Sequence, residues 1–286
     1  MRKWISYYLK NSNFFSEIYF LVGSLLVNIL KLFVKPDPKV ALFVSYGGKQ
    51  FSDSPYALYQ AMKKDQRFSD WQLVWAFTAP DRFGEVDNKV KIDSLAYFKT
   101  CLKARVWITN SGIKRYLDFN GKHTFFINTW HGIPLKKIGR DEKGVRKSKV
   151  FARKWFEFRD ADMNLYHSDY DLKVLKHVFS APEKHFYQFG LPRNDLLYRL
   201  KDDQSFKKEI RSRLHIPGGK KVILYAPTVR GEQVSQSKDN VFVNPFHFNL
   251  WKQKFSDTVI LFRAHYFVTE KENTKFSNVI DVTNYP

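Results

Sequence analysis

Apolar residues recur along the chain in short continuous runs, and amphipathic stretches with a helical period separate these runs. Runs such as Lys39–Tyr46 and Arg105–Thr109 are rich in β-branched and aromatic side chains and too short for helices, so they predict buried strands. Stretches such as Pro55–Lys64 and Leu95–Lys103 predict helices. Buried strands that alternate with helices are typical of a parallel sheet covered on both faces. The same reasoning predicts strands at Gln72–Thr78, Val90–Ile92, Thr124–Asn128, Asp162–Tyr166 and His185–Phe189, and a helix at Ser168–Phe179.

The alternation starts again after Asp195, which predicts a second α/β unit. Two Rossmann-like domains are therefore expected, at residues 36–195 and 196–286. The second would have only about ninety residues, fewer than a doubly wound domain usually needs. We therefore expect the second domain to be incomplete and the chain to be a fragment or a truncated product. The predicted elements of this part are the helices Asp203–Leu214 and Pro245–Lys254, the strands Lys221–Tyr225 and Thr258–Phe262, and a short strand at Asn278–Val282.

Residues 1–35 form a separate, mainly apolar segment that is predicted to be helical from Phe14 to Val34. Its longest uncharged run, Ile18–Leu30, has 13 residues, whereas a spanning helix needs about 20. The polar residues share one helical face, which predicts an amphipathic helix that lies in a membrane interface. An ordinary helix packed on the domain and a true membrane span are the alternatives. The polar residues on that face are Glu17, Ser24, Asn28 and Lys31.

Charge and composition narrow the class of partner. The chain has 48 Lys and Arg against 28 Asp and Glu, a formal net charge of +20. This excess predicts an anionic partner, which is nucleic acid, an anionic membrane or a phosphate-bearing substrate. The 44% hydrophobic content excludes a disordered chain. The single Cys101 excludes an internal disulfide framework and a cysteine-based zinc site.

A histidine follows one of the predicted strands. Ligands of open α/β sheets bind at the carboxyl ends of the strands, and Thr124–Asn128 is followed by Thr129, Trp130, His131 and Gly132. A histidine in this place suits general base catalysis because its ordinary pKa lies near 6.5, and the glycine permits close approach of a substrate. A loop histidine that only makes backbone contacts is the alternative.

Cationic residues follow two strands of the second half. Arg230 lies shortly after Lys221–Tyr225, and Arg263 lies directly after Thr258–Phe262, where an arginine suits phosphate recognition. The segment Gly190–Asp195 is interpreted as a hinge or as an anion site at a helix start. The basic run Lys136–Lys154 is a solvated face or a surface that attracts an anionic polymer or lipid phosphate. GxGxxG and P-loop motifs and the motifs of known nucleic-acid modules are absent from the sequence.

Five segments, in this order, resemble the CDP-glycerol glycerophosphotransferase family of teichoic acid synthesis. Trp-His-Gly followed by Pro-Leu-Lys is the most specific of them. The resemblance implies a two-domain GT-B-type fold, peripheral attachment to the cytoplasmic face of the plasma membrane, and transfer of glycerol phosphate from CDP-glycerol to a hydroxyl of a lipid-linked acceptor with release of CMP. The segments are Ser45–Leu58, Asn128–Lys137, Gly190–Leu196, Leu224–Arg230 and Arg263–His265.

The resemblance also implies roles for individual residues. His131 would be the catalytic base, and Arg230, Arg263 and His265 would bind the donor's diphosphate. Supporting positions would be Gly132, Lys136 and Thr228.

The expected partners are CDP-glycerol, a lipid-linked polyol phosphate acceptor and an anionic membrane surface, without nucleic acid, cofactor or metal. Two alternatives stay open. One is a catalytically incomplete, membrane-bound fragment of the family that binds polyanions, and the other is ribitol phosphate transfer. The sequence does not separate a primase from a polymerase.

Overall fold

The computed structural model describes residues 12–138, 141, 157–227, 254–263, 278–283 and 285. The chain divides into two compact units, Met1–Arg199 and Leu200–Pro286, and each is described by itself. The predicted helix Pro245–Lys254 lies outside the described residues except for its last residue.

Seven strands of the first unit form one sheet in the order β3-β2-β1-β4-β5-β6-β7, and every pairing is parallel. Their ends lie within about two residues of the predicted ones, because continuous apolar runs mark buried parallel strands. The strands are β1 Asp37–Val44, β2 Gln72–Phe77, β3 Lys89–Lys91, β4 Ala104–Thr109, β5 Phe125–Asn128, β6 Met163–Leu165 and β7 Phe186–Tyr187.

Some helices of the first unit begin at a side chain that caps their first turn. Ser94 caps α3 by accepting a hydrogen bond from the Tyr97 N–H. Ser168 and Asp171 form a reciprocal capping box at the start of α4, in which each side chain binds the other residue's backbone N–H. The described helices of this unit are α1 Asn13–Phe33, α2 Asp53–Lys64, α3 Leu95–Lys103, α4 Asp169–Phe179 and α5 Asp195–Leu200, of which only the last was not predicted.

The core lies on both faces of the sheet. Along β1, Leu42 and Val44 belong to one buried cluster, and Ala41 and Phe43 belong to another on the opposite face. This alternation explains the unbroken apolar run of β1, because every one of its central residues has a buried face to fill. The predicted sheet with cover on both faces is therefore confirmed.

Helix α1 packs on the rest of the first unit with the side that carries its polar residues, and Val27 and Leu30 on that side lie in or against the core. The Ser24 hydroxyl accepts a hydrogen bond from the Asp118 N–H at 2.8 Å, and Asn28 Nδ2 donates to the Asp118 carbonyl oxygen at 2.9 Å. Tyr19 Oη donates to the Arg115 carbonyl oxygen at 3.2 Å. The reverse side is apolar and exposed, so α1 differs from an ordinary core helix. This outer face consists of Phe14, Phe15, Ile18, Leu21, Val22, Leu25, Leu26, Ile29, Leu32 and Phe33.

The second unit contains a parallel sheet with the order β10-β9-β8 among its described strands. Helix α6, Gln204–Arg213, begins at Asp203, whose carboxylate accepts hydrogen bonds from two backbone N–H groups. The predicted strands are confirmed as β8 Lys221–Tyr225, β9 Thr258–Phe262 and β10 Val279–Asp281. The incompleteness of this domain stays a prediction.

Candidate active site

The strand order of the first sheet reverses between β1 and β4, and ligands of open α/β sheets bind at such a point. Tyr46 follows β1, and Asn110 follows β4. The Tyr46 N–H donates to Asn110 Oδ1 at 2.8 Å, and the Gly47 N–H donates to the Ser111 hydroxyl at 2.8 Å. These bonds join the two loops at the reversal point.

His131, which follows β5, reaches the same place. Its Nδ1 lies 2.6 Å from the Asn110 carbonyl oxygen. A carbonyl oxygen can only accept, so Nδ1 carries the proton of the neutral ring and the lone pair lies on Nε2. The His131 ring also contacts the rings of Trp130 and Tyr46, at centroid distances of 4.0 and 5.9 Å. His131 is thus held in the tautomer that a general base needs.

Buried polar side chains bind the backbone of the loop that contains His131, called the histidine loop below. Asn128 and Asn164 are almost fully buried, and Asn164 Oδ1 accepts a hydrogen bond from Asn128 Nδ2 at 2.7 Å. Asn128 Oδ1 in turn accepts from the Trp130 N–H at 3.0 Å. Trp130 has a φ of 52°, a left-handed conformation that is uncommon for a bulky residue. The asparagine pair therefore fixes an unusual backbone directly before His131.

An ion pair borders the histidine loop on another side. Arg193 Nη1 lies 2.8 Å from Asp53 Oδ2 and 3.0 Å from the His131 carbonyl oxygen. Tyr46 Oη donates to the same carboxylate oxygen of Asp53. Burial raises the pKa of the Asp53 carboxyl, but the hydrogen bonds from Tyr46 and the Ser54 N–H and the charge of Arg193 outweigh burial. The net pKa of Asp53 therefore lies below its ordinary value, and the carboxyl is ionised at neutral pH.

The predicted site residues of the first unit differ in their surroundings. Gly132 lies beside His131 with a φ of 154°, which favours glycine. Lys136 is exposed further along the same loop. The basic run that begins at Lys136 lies mostly outside the described residues.

Of the predicted donor-binding residues, only Arg263 is described. Its backbone N–H donates to the Tyr225 carbonyl oxygen at 3.0 Å, which places it directly at the carboxyl end of β9, with an exposed side chain. Thr228, Arg230 and His265 lie outside the described residues. Their roles stay predictions.

Two charged residues of the site were not predicted from the sequence. In the sequence, Asp53 lies within the family-like segment Ser45–Leu58, and Arg193 lies within Gly190–Asp195, the predicted hinge or helix start. The signal that pointed towards Arg193 was its place in Gly190–Asp195, directly after the last strand of the first unit. Its partners lie 62 and 140 residues away in the chain, so only the fold brings them together.

A doubly wound parallel sheet with a positioned histidine at the reversal of strand order defines an α/β protein of the ligand-binding Rossmann-like class. The pattern of one family in that class, described as CDP-glycerol:poly(glycerophosphate) glycerophosphotransferase, matches residues 26–286. The chain belongs to this family, which confirms the resemblance drawn from its motifs.

Named relatives of this chain act in teichoic acid synthesis. The teichoic acid poly(glycerol phosphate) polymerase of Staphylococcus epidermidis is 34% identical over 259 residues, which cover 87% of this chain and 35% of that protein. The teichoic acid glycerol-phosphate transferase of Staphylococcus aureus is 30% identical over 262 residues, which cover 87% of this chain and 66% of that protein. The chain thus spans about a third of the first relative and about two thirds of the second.

Solved structures of the wall teichoic acid polymerase TagF share the fold. One has a TM-score of 0.79 and 31% identity, and the match covers 96% of this chain and 71% of that chain. A TagF variant soaked with CDPG has a TM-score of 0.81 and 30% identity, over 91% of this chain and 65% of that chain. This likeness confirms the predicted GT-B-type α/β fold class.

Proposed function

We propose that the protein transfers glycerol phosphate from CDP-glycerol to a hydroxyl of a lipid-linked, teichoic acid-type acceptor and releases CMP. The observation that carries the proposal is His131, held at the sheet's reversal point with its Nδ1 proton on the Asn110 carbonyl oxygen. Membership of the glycerophosphotransferase family and the names of the relatives support the choice of donor.

In the proposed reaction the acceptor hydroxyl attacks the β-phosphorus of CDP-glycerol. A new bond forms between the acceptor oxygen and this phosphorus while the bond from the phosphorus to the bridging oxygen breaks, and CMP leaves with that oxygen. Nε2 of His131 accepts the hydroxyl proton. Phosphoryl transfer depends mainly on positioning and charge stabilisation. We assign the stabilisation of the diphosphate to Arg230, Arg263 and His265.

The domain roles follow from this assignment. We propose that residues 36–195 bind the acceptor and carry His131, and that residues 196–286 bind the nucleotide donor. Gly132, Lys136 and Thr228 are proposed supporting residues.

The extent of the sequence matches favours glycerol phosphate over ribitol phosphate. The glycerol-phosphate polymerase and transferase named above match 87% of this chain. A Staphylococcus aureus ribitol-phosphate polymerase is 29% identical over 148 residues, or 51% of this chain. Ribitol phosphate transfer is therefore the second candidate, and it is decided by offering CDP-ribitol in the same assay.

We further propose that the protein binds the cytoplasmic face of the plasma membrane through the outer face of α1. Leu32 and Phe33 on this face are 72% and 80% exposed, and the inner side of the helix is hydrogen-bonded to the domain. An exposed apolar helix face beside a strongly cationic protein suits an anionic lipid surface. By length and composition α1 is also apolar enough to cross a membrane, and protease protection in sealed vesicles distinguishes a span from an interfacial helix.

The test is transfer of radiolabelled glycerol phosphate to a lipid-linked acceptor, with CMP release measured in parallel. We expect His131→Ala to lower the rate by about 10²–10⁴-fold, the range for loss of a general base, while CDP-glycerol still binds. His177→Ala is the matched control because His177 lies on the exposed surface, paired with Asp141, and its loss should leave the rate within about twofold. Near-normal turnover of His131→Ala would overturn the assignment.

A further inference from the structure

Arg193 makes two hydrogen bonds that converge on the histidine loop. The residue lies in a single turn, Pro192–Asn194, directly before α5. One nitrogen of its guanidinium, Nη1, donates both to Asp53 Oδ2 and to the His131 carbonyl oxygen. The Arg193 N–H also lies 3.5 Å from the Ser54 hydroxyl. Arg193 therefore binds the start of α2 and the backbone of His131 at the same time.

These contacts are part of a closed ring of hydrogen bonds. Tyr46 binds Asp53 through its hydroxyl and binds Asn110 through its backbone N–H. Asn110 accepts from the His131 ring through its carbonyl oxygen, and Arg193 joins the His131 carbonyl oxygen back to Asp53. The ring of five residues holds His131 at two points, the imidazole and the backbone carbonyl.

The ring contains one ion pair, between a buried carboxylate and a partly exposed guanidinium. The Asp53 side chain is 4% exposed and the Arg193 side chain is 32% exposed. A buried carboxylate needs a charged partner, because an unpaired buried charge is costly. Asp53 therefore fixes the guanidinium, and because Nη1 carries two hydrogens, the same nitrogen can donate to the His131 carbonyl oxygen as well.

The backbone around His131 needs such a restraint. Trp130 and Gly132 flank His131 with φ values of 52° and 154°, and Tyr46 and Asp53 also have positive φ values of 47° and 67°. Residues in these sparsely populated conformations persist only when their surroundings determine them. Without the bond to Arg193, the loop could relax and rotate the imidazole away from the Asn110 carbonyl oxygen.

We propose that Arg193 is a positioning residue for the transfer reaction: through its bonds to Asp53 and the His131 carbonyl oxygen, it keeps His131 in the orientation and tautomer that a base requires. This inference rests on the proposed function for its kinetic consequence, but its structural consequence is independent of turnover. Arg193 acts through His131 and does not contact the reacting atoms.

The first experiment observes the His131 tautomer directly. ¹⁵N-histidine NMR of the full chain is recorded above pH 7, and His131→Gln assigns the His131 signal. We expect the Nδ1–H tautomer in the unchanged protein, a mixture of tautomers in Arg193→Ala and partial recovery in Arg193→Lys. Arg67→Ala is the matched control, since it removes an Arg–Asp pair that is exposed and remote from His131 in the chain, and it should leave the signal unchanged.

The second experiment separates positioning from donor binding. In the transfer assay we expect Arg193→Ala to lower kcat by about 10–100-fold, as for misplacement of a catalytic group, with KM for CDP-glycerol changed less than about twofold. Arg193→Lys should recover part of kcat. If Arg193→Ala instead raises KM and preserves kcat, Arg193 binds the donor and the positioning role is wrong.

Each failure can be recognised separately. If the unchanged protein transfers no glycerol phosphate, the proposed function fails, but the tautomer measurement still decides the role of Arg193. A single Nδ1–H tautomer in a folded Arg193→Ala variant overturns the positioning role. If Arg193→Ala does not fold, Arg193→Gln and Asp53→Asn replace it, because both keep a polar side chain at the position and remove the ion pair.

Discussion

Two regions of the first unit reverse the usual distribution of polar and apolar side chains, in opposite ways. At the carboxyl end of the sheet, polar side chains such as Asn110, Asn128 and Asn164 are buried, and each has hydrogen-bond partners. On the outer face of α1, large apolar side chains such as Leu25 and Leu32 are exposed. In the first region the polar groups bind one another and the backbone, whereas the second region leaves large apolar side chains exposed.

The difference is clearest within α1, whose two sides have different surroundings. On its inner side α1 binds the domain in two ways: Tyr19, Ser24 and Asn28 make directed hydrogen bonds, and Val27 and Leu30 pack in or against the core. The apolar residues on the opposite side stay exposed, and in the proposed membrane binding they would contact lipid, an interaction that needs area more than direction. We therefore expect substitutions in the two regions to separate stability from membrane binding.

The largest effect is expected from the buried asparagine pair. Asn164→Leu removes the acceptor of Asn128 Nδ2 and the donor to the Phe158 carbonyl oxygen, and each buried unsatisfied group costs about 1–3 kcal/mol. We expect the free energy of unfolding to fall by about 2–4 kcal/mol, measured by urea titration. Asn120→Leu, at an exposed position, should change it by less than about 0.5 kcal/mol. Equal effects of both variants would contradict the role of the pair.

The next effect concerns the outer face of α1. Leu25→Glu should weaken binding to vesicles that contain anionic lipid by roughly 10–100-fold, since burial of a leucine contributes about 1.5–3 kcal/mol. Its free energy of unfolding should hardly change. Leu95→Glu is the matched control because Leu95 is 61% exposed against 60% for Leu25, and the added charge is the same. Equal vesicle binding of the two variants would show that α1 does not dock on lipid.

A smaller effect is expected on the inner side of α1. Ser24→Ala leaves the Asp118 N–H without its acceptor, so the free energy of unfolding should fall by about 1–2 kcal/mol. Ser69→Ala, at an exposed position, serves as the control in the same denaturation experiment. If Ser24→Ala is as stable as its control, the polar side of α1 does not anchor the helix.

The smallest effect is a pH dependence at the site. The folded-state pKa of Asp53 lies below its ordinary value, so its stabilisation is complete above the unfolded-state pKa and is lost as the pH falls through the folded-state pKa. The stability difference between the unchanged protein and Asp53→Asn should therefore narrow as the pH falls below about 4, the ordinary pKa of an Asp carboxyl. Thermal unfolding at several pH values measures it, and a constant difference would contradict an ionised Asp53.

Much of the fold was predictable because it depends on local patterns. The strands from Lys39–Tyr46 to Thr258–Phe262 were visible as apolar runs, and residue ranges such as Leu95–Lys103 were visible as amphipathic helices. His131 was also a candidate, because a histidine beside a glycine at a strand end suits general base catalysis, and its role stays a prediction. Helix α5 was missed, since Asp195–Leu200 has six residues, and so short a stretch gives a weak periodic signal.

The sequence by itself determined the alternation of strands and helices and the amphipathic character of α1, and it predicted His131 as the base. Only the tertiary structure decided which side of α1 meets the domain, and that Arg193, Asp53 and Asn110 surround His131. The physical reason is how far apart the interacting residues lie in the sequence. Secondary structure and helix faces follow from residues a few positions apart. The bonds of Arg193 instead join residues 62 and 140 positions away, and these residues become neighbours only once the parallel sheet has formed.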